Sequence, residues 1–93
     1  MIVNVRLVGS LRGSGESSFS MKTDVGTSLK TAVWRIADRS FELKRILGIA
    51  GLNEHSSSLL ILVNGKDSSV LKGLETLLEE GDEVVLIPVI HGG

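Results

Sequence analysis

The sequence ends in Gly92 and Gly93, which put a main-chain carboxylate at the tip of a segment without side-chain bulk. An α-carboxylate, with a pKa of about 3.3 to 3.7, is ionised at neutral pH and inert toward nucleophiles. It acylates other groups only after activation by a second enzyme, and adenylation by ATP to a mixed anhydride is the economical route. A sulfur donor or an amine can then displace AMP, so one carboxylate admits two outcomes. Pro88 has no N–H to give to a sheet ladder and is expected to mark where the last strand begins to leave its sheet. The segment from Val89 to Gly93 then reaches at most about 17 Å, enough to cross the wall of a partner's pocket. Gly93 is the candidate reacting residue, and Pro88, Val89, Ile90, His91 and Gly92 are the candidates for recognition by that pocket.

Other chemistry-bearing residues are sparse. Imidazole in general titrates near pH 6.5, but His91, a tail residue without an orienting partner, reads as a recognition group rather than an acid or base. His55 lies in a Ser-rich stretch and reads as surface. The absence of cysteine excludes disulfides, thiolate metal sites, iron-sulfur clusters and a cysteine nucleophile. Glu79, Glu80, Asp82 and Glu83 read as a solvated acidic turn, and no metal site is expected. The run Gly9 to Gly15 is glycine-rich, but it lacks the spacing of a dinucleotide or P-loop motif and precedes a strand.

The elements that must hold the tail can be read from periodicity. Val3, Val5 and Leu7 alternate with Asn4 and Arg6, and after the Gly9 to Gly15 loop Phe19 and Met21 face away from Ser18, Ser20 and Lys22. Both stretches show the period of a half-buried strand and together form an opening hairpin. Thr27 is the expected N-cap of a main helix carrying Leu29, Val33, Ile36 and Ala37 on one stripe, with Trp34 at its margin. A short second helix is expected over Phe41 to Ile49, ending near Gly48 or Gly51.

The apolar run Leu59 to Val63 is closed by Asn64-Gly65, a pair suited to tight hairpin turns. A partly helical connection through Leu71, Leu74, Leu77 and Leu78 leads to the Gly81-Asp82 turn and a strongly apolar last strand, Glu83 to Val89. The order β-β-α-β-(short element)-β predicts an α+β β-grasp, a mixed sheet wrapped around one main helix with its first and last strands as central parallel neighbours. Residues 1–88 form the expected domain and 89–93 a flexible tail.

The third and last strands are apolar on both alternating sets, whereas a single helix covers one face. Leu60, Leu62, Val85 and Ile87, or their alternates, are therefore candidates for an exposed partner-binding patch. The competing expectation is that the segment from Phe41 to Leu52 covers this face.

At 93 residues, with 42% apolar and 23% charged, the chain fits one globular domain too small for a roomy internal active site. Net charge is uneven: Met1 to Arg45 holds eight Lys/Arg against four Asp/Glu, and Ile46 to Gly93 holds two against seven. The acidic half can steer a basic partner toward the tail. Nucleic acid is not an expected ligand, because Phe19, Trp34 and Phe41 are the only aromatics and offer no stacking platform. No apolar stretch approaches the roughly 20 residues of a membrane helix and no leader is evident, so no membrane association and a cytoplasmic location are expected.

The run Leu62-Val63-Asn64-Gly65-Lys66, then Leu78, Gly81-Asp82-Glu83-Val84, Pro88 and Gly92-Gly93, resembles the MoaD/ThiS family of sulfur carriers and the archaeal small ubiquitin-like modifiers. Val3 to Arg12 resembles the family's first strand and Leu-Arg turn. The resemblance spans nearly the whole chain. It implies a carrier that is not itself an enzyme and binds no cofactor, with ATP used by a ubiquitin-activating-type adenylyltransferase. Gly93 would become an acyl-adenylate and then a thiocarboxylate or an isopeptide.

The implied partners are a sulfur-acceptor enzyme such as a molybdopterin synthase large subunit, in a pterin, thiazole or tRNA pathway, or the lysines of substrate proteins. Where many relatives have a second proline and a small residue before the glycines, this chain has Val89, Ile90 and His91. Three functions follow as expectations: a sulfur carrier, a protein modifier joined through Gly93, and an interaction module without tail chemistry.

Overall fold

The computed structural model describes residues 1–13, 16–52 and 58–89. Five strands form one sheet: β1 (Ile2–Leu7), β2 (Ser18–Lys22), β3 (Leu59–Val63), β4 (Lys66–Asp67) and β5 (Glu83–Pro88), in the order β2-β1-β5-β3-β4. β1 and β5 run parallel at the centre, and the other neighbouring pairs are antiparallel. This is the predicted β-grasp, with the first and last strands as central neighbours. The central placement of β5 agrees with burial, because Val84 and Leu86 lie in the helix-side core and Val85 on the other face is enclosed by its neighbours on β1 and β3.

Helix α1 (Leu29–Ala37) buries Leu29, Ala32, Val33, Ile36 and Ala37, a helical spacing that turns one stripe onto the sheet. Its N-cap is Ser28 rather than Thr27. Ser28 Oγ accepts from Thr31 N at 3.2 Å, whereas Thr27 Oγ1 donates to the Asp24 carbonyl at 2.7 Å and closes the preceding turn. The connection before β5 supports the same helix end, since Leu29 N donates to Thr76 O at 2.8 Å and Leu78 N to Thr27 O at 2.9 Å. Trp34 at the stripe's margin is 43% exposed.

The second helix is a full element, α2 (Phe41–Ala50), running through Gly48 to a cap at Gly51. Leu43 and Leu47 join the same core as Val3, Val5, Leu7 and α1, so α2 packs on the helix side of the sheet. The short second helix expected over Phe41 to Ile49 is thus present, and it is at least as long as α1. Short 3-10 turns occupy Ser68–Val70 and Gly73–Glu75, where a partly helical connection was expected. A third, Gly9–Arg12, lies within the loop between β1 and β2 and buries Leu11 completely. Among the described residues no helix is long and apolar enough to cross a membrane.

Candidate functional site

The end of β5 is held from two sides. Val8 N donates to Leu86 O at 3.0 Å, and Val89 N donates to Ser58 O at 3.1 Å. Main-chain groups alternate in direction along a strand, so Glu83, Val85, Ile87 and Val89 bond toward β3 while Val84, Leu86 and Pro88 face β1. The N–H missing from Pro88 would have pointed at β1, which has already ended at Leu7. Proline therefore stops the pairing with β1 and leaves the ladder with β3 intact through Val89. Gly9 sits against the proline ring: its φ is +61°, and a Cβ there would lie 3.6 Å from Pro88 Cγ. Of the tail candidates, Pro88 is half-buried and Val89 is 40% exposed, whereas Ile90, His91, Gly92 and Gly93 lie outside the described residues, as does His55.

The face of the sheet away from the helices carries the apolar candidates. Leu62 lies opposite Val85 and Leu60 opposite Ile87, so the four form one contiguous block across β3 and β5. Their alternates, Leu59, Ile61, Val63, Val84 and Leu86, are in the helix-side core. Of the two sets left open by the sequence, the register turns Leu60, Leu62, Val85 and Ile87 away from the helices. Because α2 packs against the core, it does not cover this face. Leu60, Leu62 and Ile87 are half-buried, and Val85 in their midst is only 2% exposed. The block is flanked by polar residues, with Arg6 beside Val85 and Asp67 beside Leu62, an apolar centre within a polar rim.

The acidic turn is on the surface, as expected, and its Asp82 and Glu80 carboxylates are also tied into the sheet. Asp82 Oδ2 accepts from Glu79 N at 2.7 Å and Oδ1 accepts from the Asn64 amide at 2.9 Å. Asn64 Oδ1 in turn accepts from Glu83 N at 2.9 Å. The Glu80 carboxylate accepts from Ile2 N. These bonds join the Asn64-Gly65 turn, the start of β5 and the start of β1. Both turn residues have positive φ, 52° and 82°, as a two-residue hairpin of this twist requires.

Sequence reasoning missed Val8, Ser58 and Leu11, which secure the base of the tail and the loop beside it. Gly9 directly before Ser10-Leu11 was the available signal, since a lone leucine in a Gly/Ser loop has to find cover.

The ThiS family model matches residues 26–93. A candidate sulfur carrier protein of Archaeoglobus fulgidus is 31% identical over 93 residues, covering all of both chains. The solution structure of small archaeal modifier protein 1 from Methanosarcina acetivorans superposes with a TM-score of 0.76 at 27% identity, covering 99% of this chain and 96% of the other. A chain of the BexX/CysO complex of Amycolatopsis orientalis superposes with a TM-score of 0.69 at 25% identity, covering 98% and 99%. With a β-grasp core, a β5 anchored to its last described residue and this similarity over the full length, the chain belongs to the ThiS family of small sulfur carriers and ubiquitin-like modifiers.

Proposed function

We propose that this chain carries sulfur on the Gly93 carboxylate, activated in trans by a ubiquitin-activating-type adenylyltransferase. A carboxylate oxygen attacks the α-phosphorus of ATP and pyrophosphate leaves. A hydrosulfide-level donor then attacks the acyl carbon, the C–O bond to AMP breaks, and a thiocarboxylate results. The chain supplies a substrate end and a docking surface, and the partner enzyme supplies the ATP site. The observation that carries this reading is the common strand: β5 presents Val85 and Ile87 to the outer face and runs directly into the tail. A partner seated on Leu60, Leu62, Val85 and Ile87 would stand beside Pro88 and Val89, from which Ile90, His91, Gly92 and Gly93 follow in the sequence. The sulfur then passes to an acceptor enzyme such as a molybdopterin synthase large subunit, and the BexX/CysO complex supports an acceptor that binds the carrier directly.

The similarity to small archaeal modifier protein 1 favours a second use of the same adenylate, attack by a substrate lysine to give an isopeptide. The two outcomes share every step up to AMP displacement.

Incubation with such an activating enzyme, ATP and a sulfide donor tests the proposal. Intact mass should show one oxygen replaced by one sulfur, with the product lost on deletion of Gly93. An unchanged mass alongside ATP–pyrophosphate exchange dependent on this chain would leave the adenylate to the amine outcome alone. An unchanged mass without that exchange would remove the proposal.

A further inference from the structure

Among the described residues no strand pairs with the outer edge of β2. Leu7 N donates to Ser17 O at 2.7 Å and Thr23 N to Met1 O at 2.9 Å, so the odd-numbered residues of β2 bond inward to β1. Ser18, Ser20 and Lys22 consequently direct their N–H and C=O groups away from the sheet. The opposite edge differs, because β4 is only two residues long and the chain turns at once into the Ser68–Val70 turn. Edge strands are templates for pairing unless Pro, bulges or dense charge blunt them. β2 carries two serines and a single lysine outward.

Beside this edge, on the helix side, the surface is recessed between β2 and α1. Glu16, Phe19 and Arg39 line one hollow, and Lys22, Thr23, Asp24, Thr31 and Arg35 line another farther along. Thr31, Arg35 and Arg39 are spaced by four and share one stripe of α1 and its end. The Arg39 guanidinium lies 4.1 Å from the centroid of the Phe19 ring, which fixes one cation above the floor. Among the described residues no carboxylate lies within 4.0 Å of Lys22, Arg35 or Arg39, although Glu16, Asp24 and Glu80 border the hollows and the Glu80 carboxylate is engaged by Ile2 N. Thr23, only 7% exposed, has a buried Oγ1 without a hydrogen-bond partner. Buried hydroxyls normally have one.

We propose that the β2 edge and this cleft receive an extended, acidic segment of a partner protein, added to the sheet beside β2. Its main chain would pair with Ser18, Ser20 and Lys22, and its carboxylates would reach Arg35 and Arg39. Main-chain pairing supplies affinity in this mode and the flanking cations select the sequence. A second copy of this chain is the wrong occupant, since edge-to-edge pairing would bring Lys22, Arg35 and Arg39 of both copies together. The cleft lies on the helix side of the sheet and the Leu60, Leu62, Val85, Ile87 block on the other. Both surfaces can therefore be engaged at once, which lets one protein hold the carrier while another works on its tail.

The test is a titration of the full isotope-labelled chain with three synthetic peptides: alternating Val/Glu, alternating Val/Lys, and Val/Glu interrupted by proline. The Val/Glu peptide should shift the Ser18, Ser20 and Lys22 amides saturably and slow their hydrogen exchange. Arg35→Glu, an exposed change, should weaken it by about tenfold. Ser20→Pro removes an outward N–H without touching the β1 ladder and should abolish binding while the β5 amides keep their shifts. If Ser20→Pro does not fold, Arg35→Glu and the peptide panel decide alone. Equal binding of the Val/Lys or proline-interrupted peptide, shifts confined to Leu60 and Leu62, self-association through β2, or no shift at all would overturn the proposal.

Discussion

Asn64 donates its side-chain amide to Asp82 Oδ1 at 2.9 Å, and through that bond the turn after β3 is fastened to the turn that starts β5. Asn64 also holds Glu83 N and adopts φ 52°, a backbone angle that asparagine tolerates better than most residues. Asn64→Ala should cost about 1 to 3 kcal/mol in urea denaturation, from two lost side-chain bonds and a disfavoured φ. Asn64→Asp should cost more at neutral pH, because it sets a carboxylate against Asp82. That excess should shrink in acid as one of the two carboxyls takes a proton. Equal stability of the two variants at neutral pH would contradict the clamp.

Ser40 is buried and bonded in both directions: its Oγ accepts from Leu43 N at 3.1 Å and donates to the Leu11 carbonyl. It caps α2 and ties that helix to the loop after β1. Ser40→Ala should cost about 1 to 3 kcal/mol, more than Ser28→Ala at the accessible cap of α1, at about 0.5 to 2 kcal/mol. Thermal melts of the two variants, side by side, check the order.

Core and outer face should separate in their effects. Leu86 is fully buried in the core, and Leu86→Ala should lose about 2 to 5 kcal/mol. Leu62→Ser, on the half-buried outer face, should leave most of the stability while raising the KM of adenylation by the activating enzyme. An outer-face variant that melts early yet is adenylated normally would place this face in the fold alone.

Much of this arrangement was legible in the residues. Alternation at Val3, Val5 and Leu7 is a direct consequence of burial on one face, the unbroken run Leu59 to Val63 reflects one buried and one half-buried face, and Asn64-Gly65 announces its turn chemically. What was not legible depends on contacts distant in sequence. Leu11 has no periodic neighbours, and its burial is decided by α2 and the end of β5. Ser28 and Thr27 are equally good caps locally, and the Asp24 carbonyl takes the threonine hydroxyl. Two apolar sets on β3 and β5 look alike until the register with β1, whose outward residues are Asn4 and Arg6, decides between them.

The exposed pair Glu42 and Arg45 on α2 offers a local pH test. The hydrogen bond from Arg45 holds the Glu42 carboxyl below its ordinary range, and the same bond raises the arginine. A depressed carboxyl pKa contributes stability above its unfolded value and loses it as pH falls through the folded one. In an NMR titration Glu42 should therefore titrate at lower pH than glutamates without such a partner. Arg45→Gln should bring it back to the ordinary range, with little change in the melting temperature because the pair is exposed.

If the modifier outcome operates, tryptic surveys for a diglycine remnant should miss it. The last basic residue is Lys72, so trypsin leaves Gly73 to Gly93 on a modified lysine. Cleavage after glutamate should instead leave Val84 to Gly93, and conjugates that survive deletion of Gly93 would contradict attachment through it.

The most direct test of the account is the intact mass of this chain recovered from its own cells without reducing or alkylating treatment. The account predicts a population in which one oxygen at Gly93 has become sulfur, located there by fragmentation and absent when the activating enzyme is deleted. A chain found only with an unmodified carboxylate, in cells where its activating enzyme is expressed and sulfur transfer is under way, would contradict it.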